Sequence, residues 1–82
     1  MKFKIDKFDR LAKEHGYHNG YYLLMDLGYG YKVCHLLYNG RRLGYEVAFK
    51  LCRYFGVDKT CNVIKFGKHE SKDGLIAKYY KG

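Results

Sequence analysis

The chain has 82 residues, which is enough for one small domain and too few for a second hydrophobic core. Hydrophobic residues make up 48% of it and aromatic residues 18%, which argues against intrinsic disorder, and no apolar run approaches the roughly 20 residues that a membrane-spanning helix needs. The formal charge of +8 is spread along the chain, which predicts a basic folded surface, and the most common partner of such a surface is a polyanion.

Four short helices are predicted in the first two thirds of the chain, separated by glycine. Apolar residues at helical spacing predict the first helix over residues 6–15. Asn19 is a good N-cap for a second helix over 20–27. A third helix is predicted over 31–38 and a longer amphipathic helix over 44–55, each followed by glycine.

The last third of the chain has a less definite pattern. Asp58 can cap one further helical turn. Residues 63–67 and 75–80 alternate in hydrophobicity around Asp73-Gly74, which indicates a weak β-hairpin. The expected fold class is therefore all-α, with four to five short helices, and a small C-terminal hairpin is left open.

The connection between the second and third helices is the most informative feature. Only Gly28, Tyr29 and Gly30 separate the two apolar stripes. Glycine supplies a left-handed backbone there without a steric penalty. Two short helices joined in this way form a helix-turn-helix, whose second helix fits the DNA major groove.

The segment 28–42 resembles the second half of a lambda-repressor-like, Cro-type helix-turn-helix. It has the family's order of glycine, apolar residue, recognition helix, Asn-Gly and basic residue. Residues 19–27 match the preceding helix without a gap, and 45–58 are similar to the family's fourth helix with its Gly-Val ending. The resemblance covers residues 5–64, so we expect a helix-turn-helix domain over 1–64 and a C-terminal extension over 65–82.

Four positions depart from the family pattern. Leu24 stands where the family has a small residue, and Cys34 where it has a branched aliphatic one, which is consistent with a compensated core. Gly20 replaces the polar, phosphate-binding residue that often opens the second helix. Gly30 replaces the Ser or Thr N-cap of the recognition helix and is a weaker cap.

The resemblance implies a sequence-specific regulator of transcription, repressor-like, that binds double-stranded DNA at a pseudo-palindromic operator as a homodimer. It assigns base contacts to Tyr31, Lys32, Val33, His35 and Leu36. It assigns phosphate contacts to Asn39, Arg41, Arg42, Tyr22 and Tyr45. The extension, 65–82, is expected to supply the dimer contact through Leu75, Ile76, Tyr79 and Tyr80.

The composition of the recognition segment leaves a second function open. Val33 and Leu36 can meet only thymine methyl groups, so the hydrogen-bonding set is thin. A Tyr- and Leu-rich surface is also typical of protein interfaces. The alternative is a helix-turn-helix-derived antagonist or adaptor from a phage or another mobile element, and single-stranded nucleic-acid binding through stacked tyrosines is a weaker third hypothesis.

Other classes of function find little support in the sequence. The His and Cys residues lack the paired spacings of a structural zinc site, so neither a metal nor another cofactor is expected. No paired acids or nucleophile with a base suggest catalysis, and we do not expect an enzyme. The first six residues lack the apolar segment of a signal peptide, and three cysteines fit reduced thiols, so a cytoplasmic location is expected.

Overall fold

A computed structural model of the chain describes residues 1–81. Within this range there are six helices and one two-stranded sheet, which confirms the expected all-α fold class. In chain order the elements are β1 (Lys2–Phe3), α1 (Ile5–Glu14), α2 (Gly20–Asp26), α3 (Tyr31–Tyr38), α4 (Tyr45–Phe55), α5 (Val57–Asn62), β2 (Ile64–Lys65) and α6 (Lys72–Lys81). The first four helices agree with the predicted bounds to within one residue at each end.

The ends of α2 follow local signals in the sequence. The side chain of Asn19 accepts a hydrogen bond from the Tyr22 amide at 3.3 Å, which caps the start of the helix. Gly28 has a φ of 101°, a conformation that glycine adopts without strain, and its amide donates to the Met25 carbonyl at 3.0 Å. The chain therefore turns sharply and starts α3 after Gly30, whose cap has no side-chain hydrogen bond.

One hydrophobic core joins the sheet to the helices. Phe8 of α1 is fully buried and stacks on Phe3 of β1, with ring centroids 4.1 Å apart. Leu24 and Cys34, the two positions of altered volume, are both fully buried. α1 packs on α2, α2 on α3, and α4 on α5. No helix within residues 1–81 is long and apolar enough to cross a bilayer.

The predicted hairpin of residues 63–67 with 75–80 is wrong. β2 instead pairs antiparallel with β1, with Lys65 opposite Lys2. Residues 75–80 lie in α6 because Ser71 starts a helix there: its hydroxyl accepts from the Gly74 amide at 3.0 Å, and its carbonyl from the Leu75 amide at 3.0 Å. The helix then buries Leu75 completely.

Candidate nucleic-acid interface

α3 is held to the core by one face and presents the other face to solvent. Cys34 and Leu37 are buried, whereas Tyr31 is 71% and Val33 43% exposed. Lys32 is also exposed. The periodicity of the helix therefore leaves these three predicted base-contacting residues on the solvent face.

The remaining two predicted base contacts lie further along the same helix. His35 is exposed and stacks on Tyr31, with ring centroids 6.5 Å apart and planes 15° apart. Leu36 is half-buried. Tyr31 and His35 thus form a flat aromatic surface on α3, and Leu36 has the smaller free surface.

Aromatic side chains from the start of α2 meet this surface. Tyr21 packs edge-on against Tyr22 at 5.5 Å and against Tyr31 at 6.3 Å between ring centroids. His18 packs edge-on against Tyr22 at 6.0 Å. We call this group the aromatic cluster; its members are His18, Tyr21, Tyr22, Tyr31 and His35. It joins the predicted phosphate contact Tyr22 to the predicted base contacts.

The relative position of α2 and α3 depends on one carboxylate of α1. Asp9 accepts from the Tyr38 hydroxyl at 2.8 and 2.9 Å and from the Gly20 amide at 2.8 Å. Burial of Tyr38, reinforced by this hydrogen bond, raises its pKa to about 12. Asp9 therefore ties the first residue of α2 to the last residue of α3 through a hydroxyl that stays protonated at neutral pH.

Gly20 opens α2 because of its neighbour in the core. A Cβ atom at Gly20 would lie 2.3 Å from a ring carbon of Phe8. The family's polar residue at this position would collide with that ring, so the departure from the family pattern has a steric reason. The amide of Gly20 is also occupied, because it donates to Asp9.

The loop after α3 carries three of the predicted phosphate contacts, Asn39, Arg41 and Arg42. The Asn39 side-chain amide donates to the His35 carbonyl at 2.6 Å and so helps to end α3. Arg41 and Arg42 are exposed. Among residues 1–81, the one Lys or Arg side chain in an ion pair is Lys72. The charges of Arg41 and Arg42 are therefore open to an external anion.

Tyr45 lies elsewhere. Its ring is half-buried beneath the Lys78 ammonium, which is 4.0 Å from the ring centroid, and contacts Phe49 at 5.9 Å between centroids. The contact of Lys78 with Tyr45 joins α4 to α6. The structure thus does not bring Tyr45 into the aromatic cluster, and an ion–aromatic contact within the chain accounts for its position.

The four predicted dimer residues are divided between the core and the surface of α6. Leu75 is fully buried within the chain, and Ile76 and Tyr79 are half-buried. Tyr80 is 73% exposed and contacts the Tyr79 ring at 5.3 Å between centroids. The free surface of α6 is therefore supplied by Tyr80 and parts of two neighbours, whereas Leu75 holds the helix in place.

The cysteines are buried thiols. Cys34, Cys52 and Cys61 are free, and burial raises the pKa of each. They remain protonated near neutral pH and pack as small apolar groups. Residues 1–81 contain no group of three His, Cys, Asp or Glu side chains arranged to hold a metal ion.

Sequence reasoning missed two sets of residues at this surface. The first is His18 of the aromatic cluster, whereas Tyr21 was expected on or near the DNA-binding face together with Tyr22 and Tyr31. The second is a group of bases around Arg42, which includes Lys65 and Lys68. These come from distant parts of the chain, and no sequence spacing predicts their meeting.

Comparison of the chain with protein-family models, with curated proteins and with solved structures finds no match. The resemblance to the Cro-type family therefore stays a prediction based on residues 5–64.

Proposed function

We propose that this protein is a regulator of the lambda-repressor-like, Cro-type class that binds double-stranded DNA. The observation that supports this most directly is the free face of α3. It follows a sharp turn after α2, lies beside the unpaired Arg41, and carries Lys32 in an exposed position. A protruding short helix with basic neighbours is suited to the major groove, because phosphates flank the groove on both sides.

The proposed reading of bases depends on few hydrogen-bond donors. Lys32 donates to the acceptors of guanine, and Val33 contacts a thymine methyl group. Tyr31 contributes its exposed hydroxyl. Such a set discriminates weakly by itself, so the affinity is expected to come mostly from phosphate contacts and to fall steeply with salt.

The proposed complex contains two copies of the chain on a pseudo-palindromic site. Half-sites about one helical turn apart match a two-fold symmetric pair of helix-turn-helix domains. Tyr80, with the free parts of Ile76 and Tyr79, is the proposed contact between the copies. The formal charge of +8 favours association with DNA in the cytoplasm, which is the proposed location.

The decisive experiment is to sequence the DNA fragments that the purified protein retains from a genomic library at moderate salt. A shared, roughly two-fold symmetric sequence pattern is the expected result. Arg41→Ala should weaken binding to every sequence about fivefold and lower the slope of log affinity against log salt by about 1. Lys32→Ala should in addition cost roughly tenfold at one preferred base pair.

Lys13→Ala is the matched control, because Lys13 is an exposed base in the last turn of α1. It should leave the sequence preference unchanged and affect affinity less than Arg41→Ala. Retained fragments without any shared pattern, or equal effects of the Arg41 and Lys13 variants, would contradict a sequence-specific interface at α3.

A second candidate function is supported by the apolar surface near α3. Tyr22, Met25, Tyr31 and Val33 are between 42% and 71% exposed. Exposed aromatic and methionine side chains of this kind are also common at the core of a protein interface. The two functions differ in salt dependence: a stoichiometric protein complex that persists at high salt and after nuclease treatment, and that Val33→Glu abolishes, would favour the protein-binding module.

A further inference from the structure

A basic cleft lies at the sheet, between β1, the loop after α3 and the segment that follows β2. Its volume is about 380 Å³, and its walls include Lys2 of β1, Lys65 of β2 and Arg42 of the loop after α3. The segment after β2 adds Phe66 and Lys68. The pairing of Lys2 with Lys65 places two lysines side by side at the cleft, although 62 positions separate them in the sequence. We call this feature the sheet cleft.

The charge of the sheet cleft is strongly unbalanced. Four Lys and Arg side chains line it against a single carboxylate, Glu70. That carboxylate is already occupied, because one of its oxygens lies 2.6 Å from the Met1 amino group and accepts from the Gly67 amide at 2.8 Å. These two contacts, with a smaller contribution from the charge of Arg42, lower the pKa of Glu70, so it stays ionised. The lysines and Arg42 have no carboxylate partner among residues 1–81.

Positive side chains held close together repel each other, and this repulsion lowers the stability of the fold unless a bound anion neutralises it. The volume lies in the range of small-molecule sites and is larger than a simple inorganic ion requires. Lysine and arginine together bind phosphate well, the first as a point charge and the second through paired donors. The half-buried ring of Phe66 adds an apolar wall for the organic part of an ester.

We propose that the sheet cleft is a binding site for the phosphate group of a phosphate ester. Two sources share this chemistry. One is a backbone phosphate of the DNA bound by α3, since Arg42 lies in the loop that follows α3; this source rests on the proposed function. The other is a free nucleotide-like ester, and this source is independent of the proposed function.

The site itself is tested by titrating the protein with inorganic phosphate at constant ionic strength. The readout is the position of the backbone amide signals in ¹H–¹⁵N spectra. Saturable shifts of Gly67, Lys68 and His69 are expected, with smaller shifts elsewhere. Lys65→Ala combined with Lys68→Ala should weaken phosphate binding about tenfold, the size expected for two exposed charge contacts. Both lysines are exposed, so their removal leaves the core intact.

Lys13→Ala combined with Lys59→Ala is the matched control, because it removes the same charge from exposed positions outside the sheet cleft. It should bind phosphate within about twofold of the parent. Shifts that do not saturate, or an equal loss in the two double variants, would overturn the proposal, whatever the result with DNA.

Two further titrations identify the source of the phosphate. With a duplex bearing the preferred sequence, loss of the two cleft lysines should lower the salt slope by about 2 if the cleft holds backbone phosphates. If removing the two cleft lysines lowers the duplex affinity no more than the control substitutions do, but abolishes binding of adenosine 5′-monophosphate, the ligand is a free ester. If the parent binds no duplex, the proposed function fails, and the phosphate and adenosine 5′-monophosphate titrations decide the cleft independently.

Discussion

Among the glycines of residues 1–81, Gly20 is the one whose backbone lies closest to a core side chain. Its position at the start of α2 is buried against the Phe8 ring, and its amide is held by Asp9. A side chain at this position would displace Phe8 from its stack on Phe3. Glycine therefore sets how near α1 and α2 can lie, and it excludes a larger residue at this position.

Gly20→Ala is expected to lower the free energy of unfolding by about 1–3 kcal/mol, because the new methyl group overpacks a fully buried ring. Urea denaturation measures the change. Gly30→Ala is a matched control, since Gly30 has open space around it and a negative φ, and it should cost less than about 1 kcal/mol as a change of helix cap. Equal costs for the two variants would contradict the close approach.

At the scale of elements, the C-terminal helix depends on one buried side chain. Leu75 is fully buried, whereas its neighbours Ile76 and Tyr79 are only half-buried. The Lys78–Tyr45 contact adds a weaker attachment to α4. Glu70 of the sheet cleft lies two residues before α6, so the docking of this helix also helps to set where Glu70 lies.

Leu75→Ala is expected to lower the free energy of unfolding by about 2–5 kcal/mol, the usual cost of a cavity left by a buried leucine. Tyr80→Ala, at an exposed position of the same helix, should change it by less than about 0.5 kcal/mol. Hydrogen exchange of the α6 amides should accelerate in the first variant. A Leu75 variant as stable as the Tyr80 variant would contradict the docking of α6 on the core.

At the scale of the whole molecule, charge and stability are coupled through pH. Within residues 1–81, fifteen of the sixteen Lys and Arg side chains have no carboxylate partner, since Lys72 alone is paired. The three-way contact of Asp9 with Tyr38 and Gly20 joins the helices that carry the proposed DNA surface. The protonation of Tyr38 is therefore expected to influence the stability of the entire fold.

Stability should fall as the pH rises from about 10 to about 12, because the folded state holds the Tyr38 proton more tightly than the unfolded state does. The contribution is complete below about pH 10 and is lost as the pH passes the raised pKa. Tyr38→Phe lacks the ionisable hydroxyl. The difference in free energy of unfolding between the parent and this variant, measured by urea denaturation, should therefore shrink over that pH range. Tyr80→Phe is the control, and a constant deficit for Tyr38→Phe would refute the assignment.

The first four helices were predictable because their signals are local. Asn19 caps α2, glycines end the first four helices, and the apolar period selects which face of α3 is buried. The exposed positions of Tyr31 and Lys32 follow from the same period. Such features depend on residues within one or two turns of each other, so the amino-acid order is sufficient to predict them.

The sequence by itself thus determined the first four helices, the short turn before α3 and which side chains of α3 reach solvent. Tertiary structure alone decided the pairing of β1 with β2, the helical state of residues 75–80 and the position of Tyr45 beneath Lys78. It also assembled the sheet cleft from Lys2, Arg42 and Lys65. The physical reason is distance along the chain: alternation over a few residues suits a strand or a helix equally well, and only burial against remote residues chooses between them.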